Sequence, residues 1–263
     1  MLTRFASTLV RHSSFPSPSL THRLSPYEDI CALIKIVVQA ELYDTYRHRM
    51  LHGRRPMMLN MPLPRYPERS IWVDLGGGTG SNLEYFSPES LPRAFSKVVV
   101  VDLSPSLASV AKRRVRSKAW DRNGLVDIVV GDATDPSLPG LPQTGTADVV
   151  TLSYALTMIP NWKDAVLNAK RMLRPGGILC ACDFTLDTNR QWSLSRFFWT
   201  KLFRTDGVHL NSHHLTFMRR TFEEAEQHIE YGGFPYVPGL LKAPYYWAIF
   251  YKPQEDSSEH VQS

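Results

Sequence analysis

An α/β fold around a parallel sheet is what the sequence predicts, on three observations. Five short, nearly continuous apolar runs recur between residues 70 and 184: SIWVDLG, KVVVVDLS, LVDIVVGD, ADVVTLSY and GILCACDF. Segments with helical spacing separate them, most clearly SLASVAKRRVRSKAW and WKDAVLNAKRMLRPGG. A glycine cluster follows the first run, in WVDLGGGTGSNL. Unbroken apolar runs suit strands covered on both faces, and helical connectors suit crossovers between parallel strands.

The elements follow in chain order. With 263 residues and 43% hydrophobic content the chain can bury one large core rather than two small ones. Residues 1–27 carry no acidic side chain but hold Arg4, Arg11, Arg23 and many serines. That composition fits either a transit-peptide-like leader or a disordered tail. From 28 to 51, Leu33, Ile36, Ala40, Tyr43, Arg47 and Met50 recur at steps of three and four, predicting a helix that covers the domain. Proline-rich MPLPRYPERS ends it. The five strands and their connectors come next, the last connector closed by Pro175 and Gly176. FPYVPG and YYWAIFYK, with Pro244 in the loop between them, read as a closing antiparallel pair. The domain therefore spans 28–253, and residues 254–263 read as a disordered tail.

A formal charge of +5 favours anionic partners without choosing among phospholipid, nucleic acid and an acidic metabolite. Cys31, Cys180 and Cys182 are too few for a disulfide framework and suggest no metal site. No apolar run approaches the ~20 residues of a membrane-spanning helix, so the expectation is a protein that is soluble or lies on a membrane surface.

The glycine cluster carries the most chemistry. A strand runs into Asp74, then Gly76, Gly78 and Gly80 precede a helix start, so backbone N–H groups face a ligand at the sheet's carboxyl edge. A nicotinamide or flavin fingerprint, G-x-G-x-x-G, would need glycine where Ser81 stands. The spacing is instead G-x-G-x-G behind an acidic residue. That form, followed in order by VVVVDLSP, GDATD, LSYALTMIPNW and RMLRPGGIL, resembles the class I methyltransferases that use S-adenosylmethionine. The resemblance implies a Rossmann-like seven-stranded sheet with an N-terminal helical cover. It also implies a cofactor site of Asp74, Gly76, Gly78, Gly80, Asp102, Leu103, Asp132, Ala133 and Ser153. In that site Asp102 would accept the ribose hydroxyls, Asp132 would face the adenine amino group and Ala133 would lie against the ring.

The flanks narrow the resemblance. YDTYRHRMLHGRR, FWTKLFRTDGVHL and FPYVPGLLKAPYYWAIFYKP are similar to segments of the N-methyltransferase part of betaine lipid synthase. This implies methylation of the amine of diacylglyceryl-homoserine to diacylglyceryl-trimethylhomoserine. The activity that attaches the aminocarboxypropyl group has no segment here and would then belong to a separate chain or have been lost. Such an acceptor calls for a guanidinium against its carboxylate and aromatic faces around its cation. Tyr43 and Arg47 fit that task, or equally a grip on the carboxylate of the donor's methionine. Trp199, Tyr236, Tyr245 and Tyr246, with Trp247, are the aromatic candidates. His209, with Asp206 nearby, is the first candidate to take the amine proton, ahead of His213 and His214, and Tyr43 is a second catalytic candidate.

SRFFWTKLFR mixes apolar and basic residues and could lie in a membrane interface or form a lid. The expected location is a membrane surface on the cytoplasmic or endoplasmic reticulum face, or mitochondrial through residues 1–27. Other readings are a methyltransferase for a quinone ring or another aminolipid, and a non-catalytic binding module. A nucleic-acid substrate is disfavoured: no aromatic-plus-basic module is present, and SYAL stands where an N-P-P-Y-like tetrad would follow the fourth strand.

Overall fold

The computed structural model describes residues 50–186, 199, 208–233 and 242–254. The chain divides between Thr45 and Tyr46 into two units, and every described residue belongs to the second. Most of the expected cover helix, the 1–27 leader, FPYVPG and nearly all of SRFFWTKLFR lie outside the described residues.

Seven strands form one sheet: β1 (Ile71–Leu75), β2 (Lys97–Asp102), β3 (Val126–Val130), β4 (Ala147–Ser153), β5 (Leu173–Phe184), β6 (Glu223–Gly232) and β7 (Ala243–Tyr251). Their order is β3-β2-β1-β4-β5-β7-β6. The first five run parallel, and β7 is antiparallel to both β5 and β6. The unbroken apolar runs are explained by two covered faces. Val98 and Val100 belong to one core cluster, with Trp72, Phe95 and Trp120, while Val99 and Val101 belong to the other, with Leu152, Val166 and Met172. Strand order reverses between β1 and β4. At such a point the loops leaving neighbouring strands turn to opposite faces and open a crevice at the carboxyl edge.

Of the crossover helices, α3 (Pro105–Ser117) is capped by Ser104, whose side chain accepts from the Leu107 amide, and starts with Pro105. It follows α1 (Arg54–Asn60) and the single turn α2 (Leu91–Ala94); α4 (Trp162–Met172) and α5 (His213–Thr221) come after it. α3 buries Ala108, Ala111 and Val115 at helical spacing.

Three expectations are corrected. The segment after the glycine turn is a 3-10 turn, Ser81–Tyr85, rather than a full helix. The Asn82 side chain turns back to Asp74, and Pro88 disfavours helical backbone at Ser87. Pro175 and Gly176 do not close α4 but sit inside β5. There the register passes from Ala147 opposite Leu173 to Val149 opposite Ile178, and Gly176 takes φ +67° in the bulge. β7 is paired along its two edges by β5 and by β6, EEAEQHIEYG, which leaves no edge for FPYVPG, and Pro244 is a strand residue opposite Tyr231 rather than part of a loop. β6 is an edge strand whose side chains are mostly exposed, so its charged sequence shows no apolar run.

Candidate cofactor and methyl-transfer site

The crevice is built from the turn after β1. Gly76, Gly78 and Gly80 take φ of 68°, 59° and 71°, a region that side chains other than glycine disfavour. The Gly78 amide donates to Asp102 Oδ2 at 2.8 Å, and the Ser104 amide donates to Oδ1 at 2.9 Å. Asp102 is buried at the end of β2, while its neighbour Leu103 is 47% exposed, an apolar face left open beside the turn. Asp74 is fully buried. Its Oδ1 accepts from Asn82 Nδ2 at 2.9 Å and from Thr151 Oγ1 at 2.6 Å, and Thr151 Oγ1 in turn accepts from Trp72 Nε1. Burial raises the Asp74 carboxyl to about 6, against the lowering effect of these hydrogen bonds and of Arg54. Asp74 Oδ2 and Asn82 Oδ1 are buried without a hydrogen-bond partner among the described residues.

Asp132 follows β3 on an exposed turn, where its Oδ1 accepts the Thr134 amide at 2.9 Å, and Ala133 is buried beneath it. Ser153 ends β4 and is buried, accepting from Arg54 Nε at 3.1 Å and Cys182 Sγ at 3.4 Å. Arg54 also donates through Nη1 to Ser81 Oγ at 2.7 Å. A buried arginine, 5% exposed, thus joins the glycine turn to the end of β4. Sequence reading missed it. Arg54 comes from the stretch in which Arg47 was singled out, and four arginines within nine positions look alike until the helix phase is known. Tyr43, Arg47 and Tyr236 lie outside the described residues.

Beyond β4 the loop 154–157 is tied down by a residue the sequence did not flag. Asp183, near the end of β5, is fully buried and accepts from the Thr157 amide at 3.0 Å, Thr157 Oγ1 at 2.7 Å and the Phe184 amide at 2.8 Å. Burial lifts its carboxyl to about 6 despite those donors. The Thr157 carbonyl accepts the His209 amide at 2.9 Å. His209 therefore has its backbone docked on this loop and its side chain exposed, whereas Asp206 lies outside the described residues. His213 is exposed on α5. His214 is packed edge-on against Trp162 at 4.6 Å, and burial, with His213 second, lowers it to about 4. It is a core group, removed from proton transfer at the crevice.

The aromatic candidates do not form one box. Tyr245 and Tyr246 are adjacent on β7 and pack into opposite core clusters, as strand alternation requires. Tyr246 is fully buried. Tyr245 donates its hydroxyl to Glu230 at 2.6 Å and stacks on His52. Trp199 is completely buried, with Nε1 donating to the Lys242 carbonyl at 3.0 Å, and Trp247 stacks on His228 at 4.3 Å. Trp199 and Tyr246 are core side chains with no face open to a ligand.

The residues present fit S-adenosylmethionine. Left-handed glycines leave the turn open to close approach, unpartnered Asp74 Oδ2 suits an ammonium, Arg54 suits a carboxylate, and Asp102 with Leu103 suits a ribose and the adjoining base.

Comparison with known proteins agrees. Residues 73–181 match the family described as a methyltransferase domain. The ubiquinone/menaquinone biosynthesis C-methyltransferase UbiE of Stutzerimonas stutzeri is 31% identical over 121 residues, covering 46% of this chain and 44% of that protein. UbiE of Cereibacter sphaeroides is 30% identical over 164 residues, covering 60% and 61%. The chain spans about half the length of the curated relatives it matches. Among solved structures, geranyl diphosphate C-methyltransferase from Streptomyces coelicolor, in complex with Mg2+, geranyl diphosphate and S-adenosyl-L-homocysteine, superposes with a TM-score of 0.58 at 17% identity, over 88% of this chain and 86% of that one. The YcgJ protein of Bacillus subtilis gives 0.57 at 15% identity, over 78% and 99%. At these identities the likeness is one of fold. The strand order and the acid-flanked glycine turn agree with this match: residues 73–181 form a methyltransferase domain on a seven-stranded Rossmann-like sheet.

Proposed function

We propose that the chain transfers a methyl group to a small amphiphile, and that the acceptor is the amine of diacylglyceryl-homoserine. The observation that carries the transferase part is the glycine turn locked to Asp102 beside the buried Asp74 and Arg54. When bound, S-adenosylmethionine supplies an electrophilic methyl on a sulfonium. The chain's own residues then hold and orient: the turn and Arg54 fix one end of the donor, Asp102 the other, and the 154–157 loop held by Asp183 shapes the wall towards the acceptor. Orientation supplies most of the acceleration of an in-line displacement. His209, whose backbone amide is bonded to the Thr157 carbonyl, is the group proposed to take a proton from the acceptor amine. The homoserine lipid is supported by the flanking segments around residues 43–55, 198–210 and 234–253. It carries with it the proposals of attachment at a membrane surface and of a separate chain that makes the precursor.

A second reading, methylation of a quinone ring carbon, is favoured by the names of the curated relatives. Incubation of the full chain with labelled donor and total lipid extract separates the two. Label on a homoserine-lipid nitrogen supports the first, label on a quinone ring carbon the second, and a donor that is neither bound nor consumed overturns both. For His209, the test is single-turnover methylation with saturating donor: His209→Gln should slow the transfer step with donor affinity unchanged, and an unchanged rate removes it from proton transfer.

A further inference from the structure

Gly53 is the N-cap residue of α1, and its amide is held by a side chain distant in sequence. The Gly53 amide donates to the Tyr154 hydroxyl at 2.9 Å, in the buried interior. No side chain fits at Gly53. A Cβ there would lie 2.9 Å from Tyr245 Cδ2, 3.1 Å from the Tyr246 carbonyl oxygen and 3.2 Å from the Tyr154 hydroxyl.

Tyr154 itself is held in an unfavourable conformation. Its φ is +53°, left-handed backbone that a side-chain-bearing residue rarely adopts. Its own amide donates to the Cys182 carbonyl at 2.7 Å and its ring packs edge-on against Phe184 at 4.8 Å, so the strained backbone aims the hydroxyl at Gly53. Strain of this kind persists where the surroundings over-determine it and clusters at functional sites. Packing alone would be met by phenylalanine, since a buried hydroxyl is costly unless bonded. The residue after Gly53 is Arg54, which reaches Ser153 at the end of β4 and Ser81 in the glycine turn.

We propose that Tyr154 is a positioning residue for the methyl donor: its hydroxyl latches the Gly53 amide and thereby sets how deeply Arg54 enters between the glycine turn and the end of β4. This rests on the reading of that crevice as the donor's site. Burial pushes the Tyr154 phenol well above its ordinary value, so the latch stays neutral and does not switch with pH.

The test is calorimetric titration of the full chain with S-adenosylhomocysteine, in wild type, Tyr154→Phe, Arg54→Met and the double variant. Arg54→Lys replaces Arg54→Met if the latter does not fold. Tyr154→Phe should weaken binding about fivefold to tenfold, the loss of one hydrogen bond. In the Arg54→Met background it should add less than about twofold, because residues acting as one unit are not additive. Wild-type affinity in Tyr154→Phe, or the same weakening in both backgrounds, overturns the proposal. Should the wild-type chain not bind the ligand, the donor reading fails, and amide exchange judges the latch by itself. Faster exchange confined to residues 52–60 in Tyr154→Phe supports it, and unchanged exchange there rejects it.

Discussion

The Asp102 carboxylate accepts the Gly78 amide at 2.8 Å, so the end of β2 and the turn after β1 move as one unit. Asp102→Ala removes that bond and the one from Ser104, and leaves two amides to find water. Donor affinity should fall by about 1.5–3 kcal/mol while the chain remains folded, since the core around β2 is untouched. Calorimetry on a folded variant showing unchanged affinity would remove Asp102 from the cofactor site.

Gly76 faces two obstacles to substitution. Its φ is +68°, and a Cβ would stand 2.6 Å from Ala155 Cβ. Gly76→Ala should lose about 1–3 kcal/mol of stability and most donor binding. Adding Ala155→Gly removes the collision and leaves the backbone strain, so it should restore part of the loss. Full restoration would show that the left-handed conformation is not required.

Asp183 makes stability depend on pH in an unusual direction. Its carboxyl titrates near 6 in the folded chain, above the ordinary value of 3.8, so the folded state holds the proton more tightly. That contribution is fully present below about 4 and is lost as pH rises through 6, on the order of 2–3 kcal/mol at most. The stability of wild type minus that of Asp183→Asn should therefore fall between pH 4 and 7 in urea titrations. Parallel curves would mean that Asp183 is charged throughout. Asp74 behaves alike but is common to both proteins and cancels.

His214 works in the opposite sense. Held near 4 by burial, against 6.5 when unfolded, it contributes stability above pH 6.5 that is lost as pH falls towards 4. Neither ring nitrogen has a partner among the described residues. His214→Phe should raise the melting temperature by a few degrees at pH 7.5, and by more at pH 5. A variant that melts at or below wild type across this range would show that the ring nitrogens are satisfied by water.

The parallel strands, the glycine turn and the acids that end two of the strands were legible because each rests on a local pattern: an apolar run for β2, a glycine spacing for Gly76 to Gly80, an acid at a strand end for Asp74 and Asp102. What was hidden depends on relations across the chain. β6 pairs through its backbone while most of its side chains face water, so Glu223, Glu224 and Glu226 show no apolar run that would mark a strand. Arg54 was indistinguishable from Arg47 without the turn at Gly53. Asp183 looked like the end of a strand until Thr157 was found on it. That Tyr245 and Tyr246 cannot share a face was available from strand alternation and was overlooked.

The position of β7 has a consequence for how the chain is made. It is synthesised after β5 and β6 yet lies between them, so neither can complete its pairing until Tyr251 has left the ribosome. On the nascent chain the edge of β5 and the whole of β6 wait open together. The inner sheet can form early around β1 and β4, while the side bearing α5 closes only once the last strand threads into its slot. A ribosome stalled shortly before residue 251 would thus display a half-built domain with an unprotected strand edge, the kind of species that chaperones engage.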